Sequence, residues 1–394
     1  MVQSPEKIIS DAGIPAYLHG FSAIDSYLDR NSANSARVLC GADLADLARL
    51  FEGLRYPGTA VADAAVDSGG KTWYFRCEDG GDVWNYRSLS FAFLEFYRDC
   101  KTGRYYDPRG VYPFLRGLRE GKAAETGAAR WWESAAADPR RRLFDGALIL
   151  AKYFPDTGGR EINAIAAGLG GKTGLPAVEA EDQRLLLLGL LEAANPAAGF
   201  ELLKKSGFIA AYWPELAAMD NVDHSKEFHP EGNVWKHTME ALRYRKAPGG
   251  GRGQRSAPDT RLSLGLLLHD VGKPLSESAG SRRFDGHAEL GESGARVFLE
   301  RLGCEPSLIR DVCYLVRNHM LPAALPRLPL ARTGEIMASP LFPALLELYR
   351  CDESSSFKGL DGYYKSSAAY QSFLKYRRNP YRSASGKKLK REDI

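Results

Sequence analysis

"LLLHDVGKP", residues 266–274, decides how the rear half of this chain is read. Three leucines lead into His269 and Asp270, followed by Val271, Gly272, Lys273 and Pro274. The apolar residues before His269 bury the helix that bears it. A carboxylate taken out of water without a counter-charge is costly, so Asp270 calls for a cation. Successive helical residues point about 100° apart. An ion lying across the helix face can still be reached by an imidazole nitrogen and by the neighbouring carboxylate. Mixed imidazole and carboxylate donors suit divalent manganese, iron, nickel, zinc or magnesium.

The other histidines fall around this stretch. Of seven in the chain, six lie between 224 and 319: His224, His229, His237, His269, His287 and His319. Taken singly, each is more readily a satisfied structural group than a ligand. Taken with Asp270, they read as a metal-holding set.

Bulk composition bounds the rest. The 394 residues leave room for two or three domains. Hydrophobic residues make up 44% and charged residues 26%, which describes a globular protein with real cores. The apolar runs are short, such as "LLLLGLL" at 185–191, and none approaches the roughly 20 residues that span a bilayer. The opening "MVQSPEKIIS" lacks the apolar stretch of a secretory leader, so a cytoplasmic location and no membrane partner are expected. The six cysteines form no C-x-x-C pair, which suggests free thiols in a reducing compartment. Net charge is only +4, but basic residues gather in "KYRRNPYRSASGKKLKREDI" at the end. Such a tail can meet nucleic acid, or can be a solvated terminus.

Pattern divides the chain. Residues 1–125 read as mixed α/β. "AYLHGFSAIDSYL" looks like a turn entering a helix, and "ADLADLARLFEGL" places Leu44, Leu47 and Phe51 on one helical face. "GTAVADAAVDSGGKTWYFRCEDGG" alternates and breaks at Gly69-Gly70, as a hairpin does. From 126 to 220 the periodicity is helical, in "RRRLFDGALILAKYF", "EDQRLLLLGLLEAA" and "GFELLKKSGFIAAYWPEL". Helical patterns resume over 221–360, interrupted by the glycine-rich loop "APGGGRGQRSAPD" (247–259). Residues 361–394 are polar and expected to be weakly structured. "AGLGGKTGLP" (167–176) imitates a phosphate-binding loop, but Ala166 stands where that motif needs glycine, so it reads as a connection between helices.

The motifs in order carry a resemblance. "VWKHTMEAL", "LLLHDVGKP", "FDGHAELGE", "VRNHM" and "YRCDES" resemble the successive motifs of the HD-domain metal-dependent phosphohydrolases. By that resemblance His237, His269, Asp270 and Asp352 are ligands of a first ion. His287 and His319 match the positions that hold a second ion in two-metal members. Lys273 matches a lysine that contacts phosphate. The activity implied is hydrolysis of a phosphoester by one or two divalent ions, which acidify a water and clamp a phosphoryl oxygen. Asp270 would bridge and orient, and Lys273 would neutralise developing charge.

Nearly the whole chain carries a second resemblance. "GFELLKKSGFIAAYWPELAAM", "EFHPEGNVWKHTMEAL" and "TGRYYDPRGVYPFLRG", with Asp107, Pro108 and Gly110, are similar to the bacterial tRNA nucleotidyltransferase (CCA-adding) and poly(A) polymerase family. That family joins a nucleotidyltransferase head to a helical neck, and some members carry an HD domain behind. Its Gly-Gly-x-x-Arg-Asp motif corresponds here to "GFSAID", where Gly20 and Asp25 persist while Phe21 and Ile24 replace a glycine and the arginine. The following Asp-x-Asp falls, within a residue or two, at Ser35 and Arg37, which cannot hold the magnesium ions those carboxylates hold. "SLSFAFL" (88–94) keeps only Phe91 of a nucleotide-handling motif, and "RLFDGALILAK" (142–152) lacks the base-reading Glu and Arg. Asp43, Asp46, Asp63 and Asp67 read as ordinary surface acids. "SASGKKLKREDI" is similar to the segment that begins the family's final helical arm, and a short or absent arm is expected. The expectation is therefore a catalytically silent head, a helical neck and an HD hydrolase. Its substrate would be a nucleotide, a 2′,3′-cyclic phosphate or an RNA end, with tRNA among the partners considered. The rival expectations are an active nucleotidyltransferase and a non-catalytic RNA-binding protein.

Overall fold

The computed structural model describes residues 3–29, 35–56, 62–77, 95–120, 139–153, 177–193, 195–223, 232–245, 259–278, 284–356 and 359–378. His224, His229, "SLSFAFL", "AGLGGKTGLP", all of "APGGGRGQRSAPD" before Asp259, and the tail beyond Arg378 lie outside these residues. The chain forms two compact units, the first over 1–212, 246–259 and 302–305, the second over 213–245, 260–301 and 306–394.

The first unit holds a six-stranded sheet: β1 (Ala16–His19), β2 (Ser35–Cys40), β3 (Ala64–Ser68), β4 (Lys71–Cys77), β5 (Tyr97–Asp99) and β6 (Tyr105–Tyr106). Their spatial order is β3-β4-β2-β1-β5-β6. β2 and β4 run parallel and the other neighbours antiparallel. The hairpin read from the sequence is β3–β4, closing with Ser68 opposite Lys71. Gly69 (φ 61°) and Gly70 (φ 76°) both take the left-handed backbone that a two-residue hairpin turn of this hand requires. Alternation places Val66, Trp73 and Phe75 inside. "AYLHGFSAIDSYL" is more than a turn before a helix, since β1 precedes Gly20 and the helix Phe21–Tyr27 follows it. Helix Leu44–Leu50 buries Leu47, with Phe51 just beyond it, but leaves Leu44 40% exposed. Leu44 is the first helical residue, and a side chain there leans back over the turn before the helix. After the strands in sequence come the expected helices Pro139–Tyr153, Ala180–Glu192, Pro196–Lys205 and Phe208–Tyr212.

The second unit is helical, with no strand among its described residues. Its centre is helix Thr260–Leu268, in which every residue from Leu262 to Leu268 is buried. Helices Val234–Arg243, Pro306–Asn318 and Phe342–Ser354 pack around it. An apolar sequence on all sides is what such a surrounded helix needs. One expectation is corrected here: residues 361–378 form an 18-residue helix, not a weakly structured tail. Its mean composition is polar, but Ser366, Tyr370 and Phe373 share one face. Phe373 is buried, the Tyr370 ring lies 4.6 Å from that of Phe342, and the Ser366 hydroxyl donates to the carbonyl of Pro322 at 2.6 Å.

Candidate metal centre

All the sequence-selected ligands lie in the second unit, on or just past the ends of its helices. His237 stands within helix Val234–Arg243, His269 and Asp270 directly follow helix Thr260–Leu268, and His287 begins helix His287–Arg301. His319 directly follows helix Pro306–Asn318, and Asp352 lies near the end of helix Phe342–Ser354. His237, His269, Asp270 and His319 are each 1% exposed.

Asp270 faces two groups at once. Its Oδ2 lies 3.3 Å from His269 Nε2 and 3.8 Å from His237 Nε2. Its Oδ1 lies 3.6 Å from His287 Nε2 and 3.8 Å from His319 Nε2. Asp352 Oδ1 closes the first group, 3.0 Å from His237 Nε2 and 3.9 Å from His269 Nε2. Two donor triads close enough for one ion each therefore share Asp270: His237 with His269, and His287 with His319.

The imidazole orientations test whether a cation fits. His269, His287 and His319 each direct Nδ1 at the carbonyl three residues earlier, Leu266, Phe284 and Val316, at 2.7–2.8 Å. A carbonyl can only accept, so Nδ1 carries a proton, and in the neutral ring Nε2 is left with a lone pair. The His287 and His319 Nε2 atoms are then 3.1 Å apart, and those of His237 and His269 3.4 Å. Where both nitrogens of such a pair are unprotonated their lone pairs repel, and a cation between them would turn that repulsion into ligation. This is the arrangement in which metal-bound histidines are fixed through their far nitrogen. The donor set fits a divalent ion of the kind expected.

Electrostatics point the same way. Burial pushes the His319 imidazole down to about 4, helped by His269, so it is neutral near pH 7. Burial also lowers His287. Burial alone would raise the Asp270 carboxyl, but His269, Lys273 and His237 together hold it well below the usual range. Lys273 Nζ sits 2.6 Å from Asp270 Oδ2. Part of the counter-charge that Asp270 demands therefore comes from the chain itself, three residues on, a partner the sequence argument for a cation did not count.

Two features escaped the sequence reading. Ser355 touches His237 Nδ1 at 3.2 Å, and the only trace of it in the sequence is a hydroxyl residue soon after Asp352. Gly272 is required by close approach: a Cβ there would stand 2.0 Å from the His287 carbonyl oxygen and 2.4 Å from the Gly291 nitrogen. The glycine thus brings the backbone after Asp270 against the start of the helix that carries His287.

The head positions are engaged differently. Asp25 is buried, receiving the Tyr153 hydroxyl at 2.8 Å and pairing with Lys152 at 2.9 Å. The Arg37 guanidinium pairs with the Glu192 carboxylate, and its backbone N–H donates to the Ser22 hydroxyl at 2.9 Å. Asp107 accepts from the backbone N–H groups of Val111 and Tyr112, at the start of helix Tyr112–Arg119. Asp43 caps its helix, Asp46 pairs with Arg49, Asp63 accepts from the Cys77 N–H, and Asp67 binds Arg55 and Thr72. Among the described residues, no three potential ligands converge in the first unit.

Residues 234–341 match the HD domain family. That span holds five of the six ligand candidates, and Asp352 lies beyond it. These residues are an HD domain. The chain is also homologous to CCA-adding tRNA nucleotidyltransferases over about a third of its length. A Multifunctional CCA protein of Halorhodospira halophila is 38% identical over 138 residues, 34% of this chain and 30% of that protein. A CC-adding tRNA nucleotidyltransferase of Thermus thermophilus is 34% identical over 155 residues, 37% of this chain and 32% of that protein. The chain thus spans about a third of the length of these curated relatives. A CCA-adding enzyme solved with ATP covers 95% of this chain at 13% identity and a TM-score of 0.37, too low a likeness to carry an argument. Among the described residues no helix is long and apolar enough to cross a membrane.

Proposed function

We propose that the HD domain is a divalent-metal-dependent phosphohydrolase acting on nucleotides, 2′,3′-cyclic phosphates or RNA ends. The observation that carries this reading is the placement of Asp270, whose two oxygens face two separate histidine pairs. His237, His269, Asp270 and Asp352 would hold one ion, and His287 and His319, with Asp270 shared, a second. When bound, such ions supply an acidified water and Lewis-acid stabilisation of phosphoryl oxygen. The chain's own residues do the rest. The three carbonyl-bound imidazoles stay in one tautomer, so their donors are ready before any ion arrives. Burial keeps bulk water from the liganding nitrogens. Lys273, held on Asp270 at 2.6 Å, stands beside the donor group, where it would offer positive charge to a substrate phosphate. In this reading residues 1–125 are a catalytically silent head and 126–220 a neck, which offer RNA or nucleotide a binding surface.

A second reading rests on the relatives. One is a Multifunctional CCA protein and the other a CC-adding tRNA nucleotidyltransferase, which speaks more directly for nucleotide addition to RNA 3′ ends than for hydrolysis. Against it stand Ser35 and Arg37 at the carboxylate positions, with Arg37 tied to Glu192.

One pair of assays on the purified full chain separates the two. A panel of phosphomonoesters and 2′,3′-cyclic nucleotides with manganese, nickel, cobalt or magnesium is expected to show hydrolysis. Incubation with tRNA lacking its 3′ end, labelled CTP and ATP, and magnesium is expected to show none. Robust label incorporation would overturn the silent head. RNA binding of steep salt dependence with no hydrolysis in any metal would replace both readings with a binding role.

A further inference from the structure

Three of the four imidazoles in the HD domain are oriented by their own helix ends, through the carbonyl three residues back. His237 is not. It lies inside helix Val234–Arg243, where the preceding carbonyls serve the helix, and its Nδ1 meets the Ser355 hydroxyl, 118 positions on, at 3.2 Å. Ser355 Oγ donates to the Asp352 carbonyl at 2.7 Å. With its one proton spent there, the hydroxyl can only accept from His237, so Nδ1 of His237 carries a proton and Nε2 is the nitrogen left to face the donor group. That Nε2 points at Asp352 Oδ1, 3.0 Å away, and at the His269 Nε2. Ser355 is itself 7% exposed and is the cap residue ending the helix that carries Asp352. A single side chain therefore grips two members of the same donor group, His237 through its ring and Asp352 through its carbonyl. It touches neither His287 nor His319, whose far nitrogens belong to Phe284 and Val316.

We infer that Ser355 is a positioning residue for the ion held by His237, His269, Asp270 and Asp352, and for that ion alone. The inference rests on the metal-dependent reading above. The two half-sites are oriented by different devices, one by a side chain from a distant helix and the other by local backbone. They can therefore be emptied separately.

The test is calorimetric titration of the metal-stripped full chain with manganese(II). Asp352→Ala and His319→Ala identify which bound equivalent belongs to which half-site. Ser355→Ala is expected to weaken the Asp352-dependent equivalent by about 10–100-fold and to leave the His319-dependent one within about twofold. Ser355→Thr, which keeps the hydroxyl, is expected to bind as the wild type does. If Ser355→Ala does not fold, Ser355→Cys, of similar size and a poor acceptor, carries the same expectation. Unchanged affinity in these variants, equal weakening of both equivalents, or a single wild-type equivalent that depends on His319 and not on Asp352 would overturn the inference while the metal reading stands. A wild-type chain that takes up no divalent ion would overturn both.

Discussion

Asp25 in the head and Asp270 in the HD domain are both buried aspartates with a lysine close by, at 2.9 and 2.6 Å. What surrounds each pair differs. Asp25 meets a second partner, the Tyr153 hydroxyl on Oδ1, so its negative charge is answered by a cation and a donor from the chain itself. Asp270 meets four imidazole nitrogens, and in the neutral ring three of them offer lone pairs, because the protons on their far nitrogens are committed to backbone carbonyls. Donors close a carboxylate, whereas acceptors gathered around one call for a cation. Arg37, which the resemblance sets near a carboxylate position, is likewise engaged within the chain, by Glu192.

The contrast can be broken most directly at its two aspartates. Asp270→Ala should remove metal from both half-sites and lower hydrolysis by on the order of a thousandfold, since metal stabilisation is worth several kcal/mol. Far-ultraviolet circular dichroism should keep its helical shape, and turnover equal to wild type would remove the HD assignment. Asp25→Ala should do the reverse. It leaves Lys152 largely buried and unpaired, at a cost of about 3 kcal/mol, seen as a lower denaturant midpoint with metal content unchanged. Metal lost in that variant would mean the head takes part in ion binding.

Smaller effects sharpen the same division. In the folded chain His319 titrates near 4, against an ordinary value of 6.5. Above pH 6.5 neither state holds its proton. Between about 6.5 and 4 the unfolded chain is protonated and the folded chain is not, so stability falls as pH falls. For this group the loss amounts to on the order of 3 kcal/mol. Urea midpoints of the metal-free chain across that window should show the decline, and His319→Phe should flatten it. Gly272→Ala should cost about 1–3 kcal/mol by forcing a methyl against the His287 backbone. It should weaken the His287–His319 half-site in a metal titration. Arg37→Asp breaks a partly exposed ion pair, worth under about 1 kcal/mol, and should produce no nucleotide addition to RNA. Activity appearing in that variant would mean one residue, not the whole site, silences the head.

Residue type and order were enough to pick out the side chains that converge on Asp270, because imidazoles and carboxylates are scarce in a core and are seldom gathered there without cause. The hairpin was legible for a similar reason: Gly69-Gly70 between alternating strands has few other uses. Less legible were features that depend on who sits opposite. β1 is a four-residue strand whose identity comes from pairing with β2 and β5, not from its own pattern. Helix Asp361–Arg378 is polar on average and is held by the few residues that face inward. Lys273 answers Asp270 from one turn away, a partnership visible only once both side chains are placed. Ser355 carries no signal of its role, since a serine after a helix end is commonplace and its partner lies 118 positions upstream.

The central claim is that the ion-binding capacity of this chain sits on Asp270 and nowhere in the head. Elemental analysis of the purified full chain beside its Asp270→Ala and Asp25→Ala variants tests it in one experiment. The account predicts one or two equivalents of a divalent metal in the wild type and in Asp25→Ala, and none in Asp270→Ala. Metal retained in full by Asp270→Ala, or lost from Asp25→Ala, would contradict it.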